Sequence, residues 1–305
     1  MVINEDALIS IVVITYNNSN YIEETLESIK SQTYNNIELI VSDDCSTDKT
    51  VEITEEWIDK NRDRFANVKL ITTPVNTGIS KNCNRGLREC SGKWLKVIAG
   101  DDILLNNFIK DNIEFTYLNP GASIIFSNVC EIDENSNLVR SIVVNEGQEM
   151  FANISTAKKQ LKYYSRWPIF LNTPTFFIKR DLFKLVGYCD EEFRIYEDMS
   201  TLFRVLENGY KIYHLDETTV AYRVHSKAVS RDMKKNGPRE KEALRIFEKY
   251  QMKNLNILNP FDLSIYYENW LRFKYRGFFG LKGDSILRKL SLYYWYMRLN
   301  GVKTY

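Results

Sequence analysis

The sequence predicts an α/β fold: a mostly parallel sheet flanked by helices, with a helical extension at the C-terminus. Three observations lead there. Short β-branched runs recur through the first hundred residues, separated by segments with helical spacing. The runs are mostly apolar, as strands buried on both faces of a parallel sheet are. Past residue 230 the chain turns polar and then helical and aromatic, with no internal repeat.

Residues 9–14 are the first expected strand. Asn20 with Glu23 three residues on makes a capping-box pattern, and Ile22, Leu26 and Ile29 follow at helical spacing. Residues 37–41 are a second strand, after which Asp48 can cap a helix carrying Val51, Trp57 and Ile58. Residues 68–72 are a third strand. A short helix over 80–90 should be closed by Gly92, and a fourth strand over 94–98 runs into Gly100-Asp101-Asp102. In the second half, 122–129 and 138–144 read as a hairpin joined by a turn-rich stretch. A strand at 175–179, helices at 181–186 and 196–208 ended by Gly187 and Gly209, and two strands at 211–215 and 219–224 complete the body. Residues 226–242 read as a mobile loop. The expected division is a first domain over 1–230, split near residue 103 into two halves, and an extension over 231–305.

Composition excludes several classes. The 305 residues carry 41 basic and 40 acidic side chains, a net charge of +1 that gives no reason to expect nucleic acid as partner. The five cysteines (Cys45, Cys83, Cys90, Cys130, Cys189) are widely spaced without a C-x-x-C, so free thiols are expected, not a disulfide framework or zinc site. No apolar run approaches the roughly 18 residues of a spanning helix. The expected location is cytoplasmic, or peripheral on the inner face of the plasma membrane.

In open α/β sheets ligands sit beyond the carboxyl ends of the strands. Each such end here holds a polar or acidic cluster. Thr15-Tyr16-Asn17-Asn18 offers a flat ring and small polar groups suited to a base and ribose, or simply a strand-to-helix turn. Asp43 and Asp44 precede Cys45-Ser46-Thr47-Asp48; a carboxylate here can accept the uracil N3 proton or hold ribose hydroxyls, while Ser46 or Asp48 suffices for helix capping. Asp101 and Asp102 offer oxygen ligands for Mg²⁺ or Mn²⁺, or form a solvated acidic turn. Glu197-Asp198 opens a helix, where acids suit the dipole and where one could serve as general base. Arg223 and His225 lie on one face of a strand and could reach a phosphate or a metal.

Taken in order, these clusters resemble the family 2 glycosyltransferases of GT-A (Rossmann-like) fold, over roughly residues 8 to 230. Asn76-Thr77-Gly78-Ile79-Ser80, Ser91-Gly92-Lys93-Trp94, Thr173-Pro174-Thr175 and Gly209-Tyr210-Lys211 belong to the same resemblance. It implies a donor-nucleotide site of Thr15, Tyr16, Asn17, Asp43, Asp44, Asn76, Gly78, Lys81, Gly100 and Asp101. It implies a divalent cation, Mn²⁺ or Mg²⁺, at Asp101, Asp102 and His225. Asp198 matches the catalytic base, and Glu197 would support it or bind the acceptor. The implied reaction is inverting transfer from a nucleotide-sugar, with uridine favoured over deoxythymidine, to a saccharide or polyprenyl-diphosphate-linked acceptor. The Gly-Asp-Asp form is similar to enzymes that build bacterial capsule or O-antigen. Two positions depart from the family pattern: Ala99 replaces the first acid of D-x-D, and Cys83 replaces a frequent arginine.

Residues 266–305 hold eight basic side chains against Glu268 and Asp284, interleaved with aromatics. Such helices lie on anionic membranes, or pack on the body or a second copy. A dehydrogenase would carry G-x-G-x-x-G after the first strand, and a nucleotidyltransferase a basic glycine-rich loop; neither is present. The remaining alternative is a degenerate nucleotide-sugar-binding scaffold.

Overall fold

The computed structural model describes residues 7–143, 146–167, 169, 171–225, 238–271 and 287–299. The strands are β1 Ile9–Thr15, β2 Ile37–Asp43, β3 Asn67–Ile71, β4 Trp94–Ala99, β5 Ile103–Leu104, β6 Ile124–Ile132, β7 Leu138–Val143, β8 Phe177–Lys179 and β9 Tyr213–Arg223. The helices are α1 Ile22–Lys30, α2 Thr50–Asn61, α3 Ile79–Arg88, α4 Phe108–Leu118, α5 Glu146–Ala152, α6 Ala157–Arg166, α7 Arg180–Leu185, α8 Glu197–Glu207, α9 Pro238–Ile246, α10 Pro260–Trp270 and α11 Leu292–Leu299.

Among the described residues the strands form one sheet in the order β3-β2-β1-β4-β8-β6-β9-β5, with β7 hairpinned onto β6. The β3-β2-β1-β4 half is parallel, as long helical crossovers demand. The other half is mixed: β8 is antiparallel to β4 and β6, and β9 is parallel to β6. Helices cover both faces. Ile9, Ile11 and Val13 of β1 join one core cluster and Val12 the other, which is why that strand is apolar on both faces, with Ser10 the polar residue within it.

Several local expectations are corrected. Asn20 and Glu23 do not cap α1; its N-cap is Tyr21, without a side-chain cap bond, and Asn18 O instead accepts from the N–H groups of Tyr21 and Ile22. The chain enters α1 from a turn whose own N–H groups, at Asn18 and Ser19, are held by Thr50 and Asp48. Asp48 does accept from the Thr50 N–H at the head of α2. Gly92 does not close α3; it lets the backbone press against β1, since a Cβ there would lie 2.6 Å from Ser10 N. The expected strands at 211–215 and 219–224 are one strand, β9, whose pairing with β6 shifts register near Thr218, beside the exposed Asp216 and Glu217 that mimic a turn. The expected loop over 226–242 is helical from Pro238 onward, and 226–237 lies outside the described residues.

The described part of the extension packs on the body. Trp167, just after α6, meets Phe261, Tyr293 and Tyr296 at ring separations of 5.3, 5.2 and 4.6 Å. Arg166 pairs with the buried Asp262 at 2.6 Å. No helix among the described residues is long and apolar enough to cross a membrane.

Gly92→Ala should cost about 1–3 kcal/mol, because the added methyl meets backbone atoms that cannot step aside. Urea denaturation monitored by circular dichroism measures it; an unchanged midpoint would contradict the close approach.

Candidate functional site

At the end of β1, Thr15 is buried and its Oγ1 makes no hydrogen bond among the described residues. Gly100 lies over it: a Cβ at Gly100 would be 2.9 Å from that hydroxyl. A small residue is therefore needed where the ends of β1 and β4 meet. Tyr16 leaves its ring 46% exposed at the rim, available to a flat ligand. Asn17 takes φ +55° and stitches β1 to β2, donating its N–H to Ser46 Oγ at 2.8 Å and accepting from the Thr47 N–H at 2.8 Å. Asp43 is buried and accepts from the Ser46 N–H at 2.8 Å and from the Ser46 hydroxyl.

Asp44 fastens the next loop. It accepts from the N–H groups of Thr77 and Gly78 at 2.9 and 2.7 Å, from the Thr77 hydroxyl at 2.6 Å and from Arg85 at 3.2 Å. Burial works against its charge, but these hydrogen bonds outweigh it and hold the carboxyl below the usual range. Arg85 is itself committed, to Asp44, Thr77, Asn82 and the Asp43 carbonyl. Gly78 adopts φ +89°, and a Cβ there would lie 2.8 Å from Arg194 Nε. Asn76 accepts from Arg194 at 3.4 Å, and Lys81 is exposed on α3.

The end of β4 holds the acidic pair, and the two aspartates differ. Asp101 is partly exposed and meets His225 Nε2 at 3.0 Å. Asp102 is buried and accepts from the Arg223 N–H at 2.9 Å. Burial, with Asp101 beside it, pushes the Asp102 carboxyl well up. Arg223 is 1% exposed and does not reach outward to a phosphate or metal, contrary to the expectation. Its guanidinium donates to the carbonyls of Asp101 and Asp133, to Ser136 Oγ and to Glu24, at 2.7, 3.1, 2.8 and 2.5 Å. Behind the pair, Lys96 is fully buried against the Phe108 ring and donates to the Pro174 carbonyl. Burial lowers its pKa to about 7, with Asp102 resisting the shift. Among the described residues no three His, Cys, Asp or Glu side chains form a ready metal cage.

On the acceptor side, Asp198 is oriented at both oxygens: Thr173 Oγ1 donates to Oδ2 at 2.6 Å and the Met199 N–H to Oδ1 at 2.6 Å. Glu197 differs from its neighbour. Its residue is half-buried, yet Oε2 is shielded from solvent without a hydrogen-bond partner among the described residues. Burial, then Asp198 and Cys189, pushes its carboxyl well above the ordinary range. The approach to α8 is set by Glu242 of α9, which accepts from the N–H groups of Arg194 and Ile195 at 3.0 and 2.9 Å. Asn84 of α3 ties in the same loop through Cys189 and Glu191.

Polar clusters at the ends of four parallel strands and a carboxylate held at the head of a later helix can be compared with known proteins. A family model described as glycosyl transferase family 2 matches residues 10–187, more than half of the chain. The chain belongs to glycosyl transferase family 2. Relatives of this family 2 glycosyltransferase include an uncharacterized glycosyltransferase of Haemophilus influenzae, 38% identical over 37% of this chain and 43% of that protein. GlyG of Streptococcus pneumoniae is 27% identical over 73% of each chain. Among solved structures, S. aureus TarS 1–349 in complex with UDP-GlcNAc superimposes with TM-score 0.64 at 21% identity, over 92% of this chain and 77% of that one. The Pyrobaculum calidifontis mannosyltransferase PcManGT, in complex with GDP-Man and Mn²⁺, gives 0.60 at 18% identity, over 90% and 73%. This chain covers 46% of the longer TarS structure. The fold is that of the GT-A glycosyltransferases, a curled mixed sheet flanked by helices.

The structure brings Asp101, His225, Gly100 and Thr15 together at one end of the family 2 domain, and Asp43, Asp44, Asn76 and Gly78 beside them. It sets Asp102 beneath the rim. Sequence reasoning missed Arg85, Lys96, Arg194 and Glu242, which act between segments far apart in the chain. Only the polarity of Lys96 inside an apolar strand could have marked one of them.

The pH dependence of Glu197 follows in sign from its burial. The unfolded chain releases this proton near the ordinary glutamate pKa of about 4.3, the folded chain only at higher pH. The native state is therefore penalised increasingly as pH rises between the two values. Glu197→Gln removes the penalty, so its stability relative to wild type should improve from about pH 5 to neutral. Denaturation midpoints across that range test this; a pH-independent difference would place the carboxyl in solvent. Arg223→Met should separately cost at least about 1–3 kcal/mol, the penalty for stranding a buried carbonyl that had a charged donor. A midpoint within experimental scatter of wild type would refute that role.

Proposed function

We propose that this chain transfers a sugar, with inversion, from a nucleotide-sugar to a hydroxyl of a saccharide or lipid-linked saccharide acceptor. The donor is a UDP-sugar carrying a hexosyl or N-acetylhexosaminyl group. The pathway is assembly of a bacterial surface polysaccharide, a capsule or O-antigen. The observation that carries the reading is the pairing of two sites: the Asp101–His225 rim beyond β4 and the oriented Asp198 carboxylate at the head of α8. TarS solved with UDP and UDP-GlcNAc, and PcManGT solved with GDP-Man, support the donor class.

The step is a single displacement. Asp198 takes the proton of the acceptor hydroxyl, whose oxygen forms a bond to the anomeric carbon as the bond to the diphosphate oxygen breaks. The nucleoside diphosphate leaves with that electron pair. Thr173 and the Met199 N–H aim the carboxylate, and the exposed Tyr16 receives the nucleoside, with Thr15 buried behind it under Gly100. Asp101 and His225 offer one carboxylate and one imidazole, a donor set that fits Mn²⁺ or Mg²⁺ when diphosphate oxygens and water complete the shell. Bound there, the cation would supply charge neutralisation for the leaving diphosphate. Asp102, buried beneath, would fix the loop that carries Asp101.

The outer face of the extension supports a peripheral membrane location on the cytoplasmic side. Leu263, Tyr266, Trp270, Leu290 and Leu292 line an open groove of about 640 Å³, and Leu290, Leu292 and Leu299 are more than half exposed. With Lys289 and Arg298 exposed in the same described segment, an anionic lipid surface is the partner of this face.

Asp198→Asn should lower transfer by about 10²- to 10⁴-fold while leaving UDP binding intact. A screen of UDP-sugars against lipid-linked and free saccharides supplies the assay. Near-full activity in a folded Asp198→Asn protein would end the assignment, and absence of turnover with any donor in the wild type would favour the scaffold reading. In flotation with anionic vesicles, Leu290→Glu with Leu292→Glu should abolish co-migration; unchanged co-migration would remove the membrane contact.

A further inference from the structure

A nucleoside diphosphate brings several negative charges into the donor cleft; Lys81 stands exposed on α3, and the other cations that could meet them are mostly spent. Arg85 is committed to Asp44, Thr77 and Asn82. Arg223 is buried on carbonyls and Glu24, and Lys96 is buried on Pro174. Arg194 is different. It is exposed, and among the described residues its guanidinium makes one long hydrogen bond, to Asn76 Oδ1 at 3.4 Å. A guanidinium carries five N–H donors, so most of this fork is uncommitted.

Its position is set from two sides. The backbone is clamped by Glu242, through the N–H groups of Arg194 and Ile195. The loop just before it is held by Lys249 on Asp190 and Glu192, at 2.6 and 2.7 Å, and by the Tyr250 hydroxyl on Asp190 at 2.7 Å. The side chain then lies across the 76–78 turn, in space that exists because residue 78 is glycine: a Cβ would come within 2.8 Å of Nε. That turn is fastened to Asp44 at the end of β2. A residue that precedes Asp198 by four positions thus places its charge on the nucleotide side of the cleft.

We propose that Arg194 is a donor-binding residue contributed by the acceptor half, whose guanidinium engages the phosphates of the nucleoside diphosphate at the 76–78 turn. The proposal rests on the nucleotide-sugar reading above. Titration calorimetry of UDP and of uridine into the full chain tests it, on the wild type, Arg194→Met and Arg194→Lys. Arg194→Met should lose about tenfold in UDP affinity, the scale of one charge-assisted hydrogen bond, with uridine affinity kept and Arg194→Lys in between. In the transfer assay the donor KM should rise by a similar factor. A loss below about threefold for UDP, or an equal loss for UDP and uridine, overturns the proposal while the donor site stands. A wild type that binds no nucleoside diphosphate overturns the donor reading itself, and this with it.

Discussion

The buried guanidinium of Arg223 is the constraint on which the donor end depends. It sits at the end of β9, yet its bonds go to the Asp101 carbonyl, to the turn after β6 and to Glu24 on α1, while its own N–H holds Asp102. Three segments, the loop after β4, the turn after β6 and α1, are fixed to one planar fork. A lysine could not replace it, because its point charge offers no such directional set. The Tyr21 ring, 4.8 Å beneath the guanidinium, completes the enclosure and also packs on His225.

A second buried basic side chain ties the central strand to the turn before β8. Lys96 lies between Asp102 and the turn that presents Thr173 to Asp198. A charge in an apolar core is costly to bury, and it persists where it specifies a geometry that apolar packing would leave loose. Here the carbonyl of Pro174 and the face of Phe108 take the place of water. The turn that presents Thr173 to Asp198 is thus held by one side chain on the central strand β4.

The parallel half of the sheet was legible because runs buried on both faces are dense in β-branched and other apolar residues, and Gly187 and Gly209 marked helix ends with the positive φ that their residue type suggests. The clusters at strand ends were legible from topology. What could not be read was which acid faces outward: Asp101 and Asp102 are adjacent and chemically identical, and only Arg223, more than a hundred residues away, distinguishes them. The same distance hid Glu242 and Arg194. Where local chemistry misled, another segment had taken the atoms, as Thr50 and Asp48 did at the turn before α1.

The route of the chain between β4 and β5 carries a consequence for assembly. Within the few residues from Ala99 to Ile103 the backbone leaves the middle of the sheet and joins its far edge, where β5 pairs with Ala221 and Val220 of β9. The edge to which β5 belongs does not exist until β9 has been made, and β9 is far downstream. A nascent chain can lay down the first four parallel strands early, but its acidic loop has no resting place until residue 223 arrives. Contacts of such sequence separation close slowly. This end is therefore the first part of the sheet to be synthesised and the last to be finished.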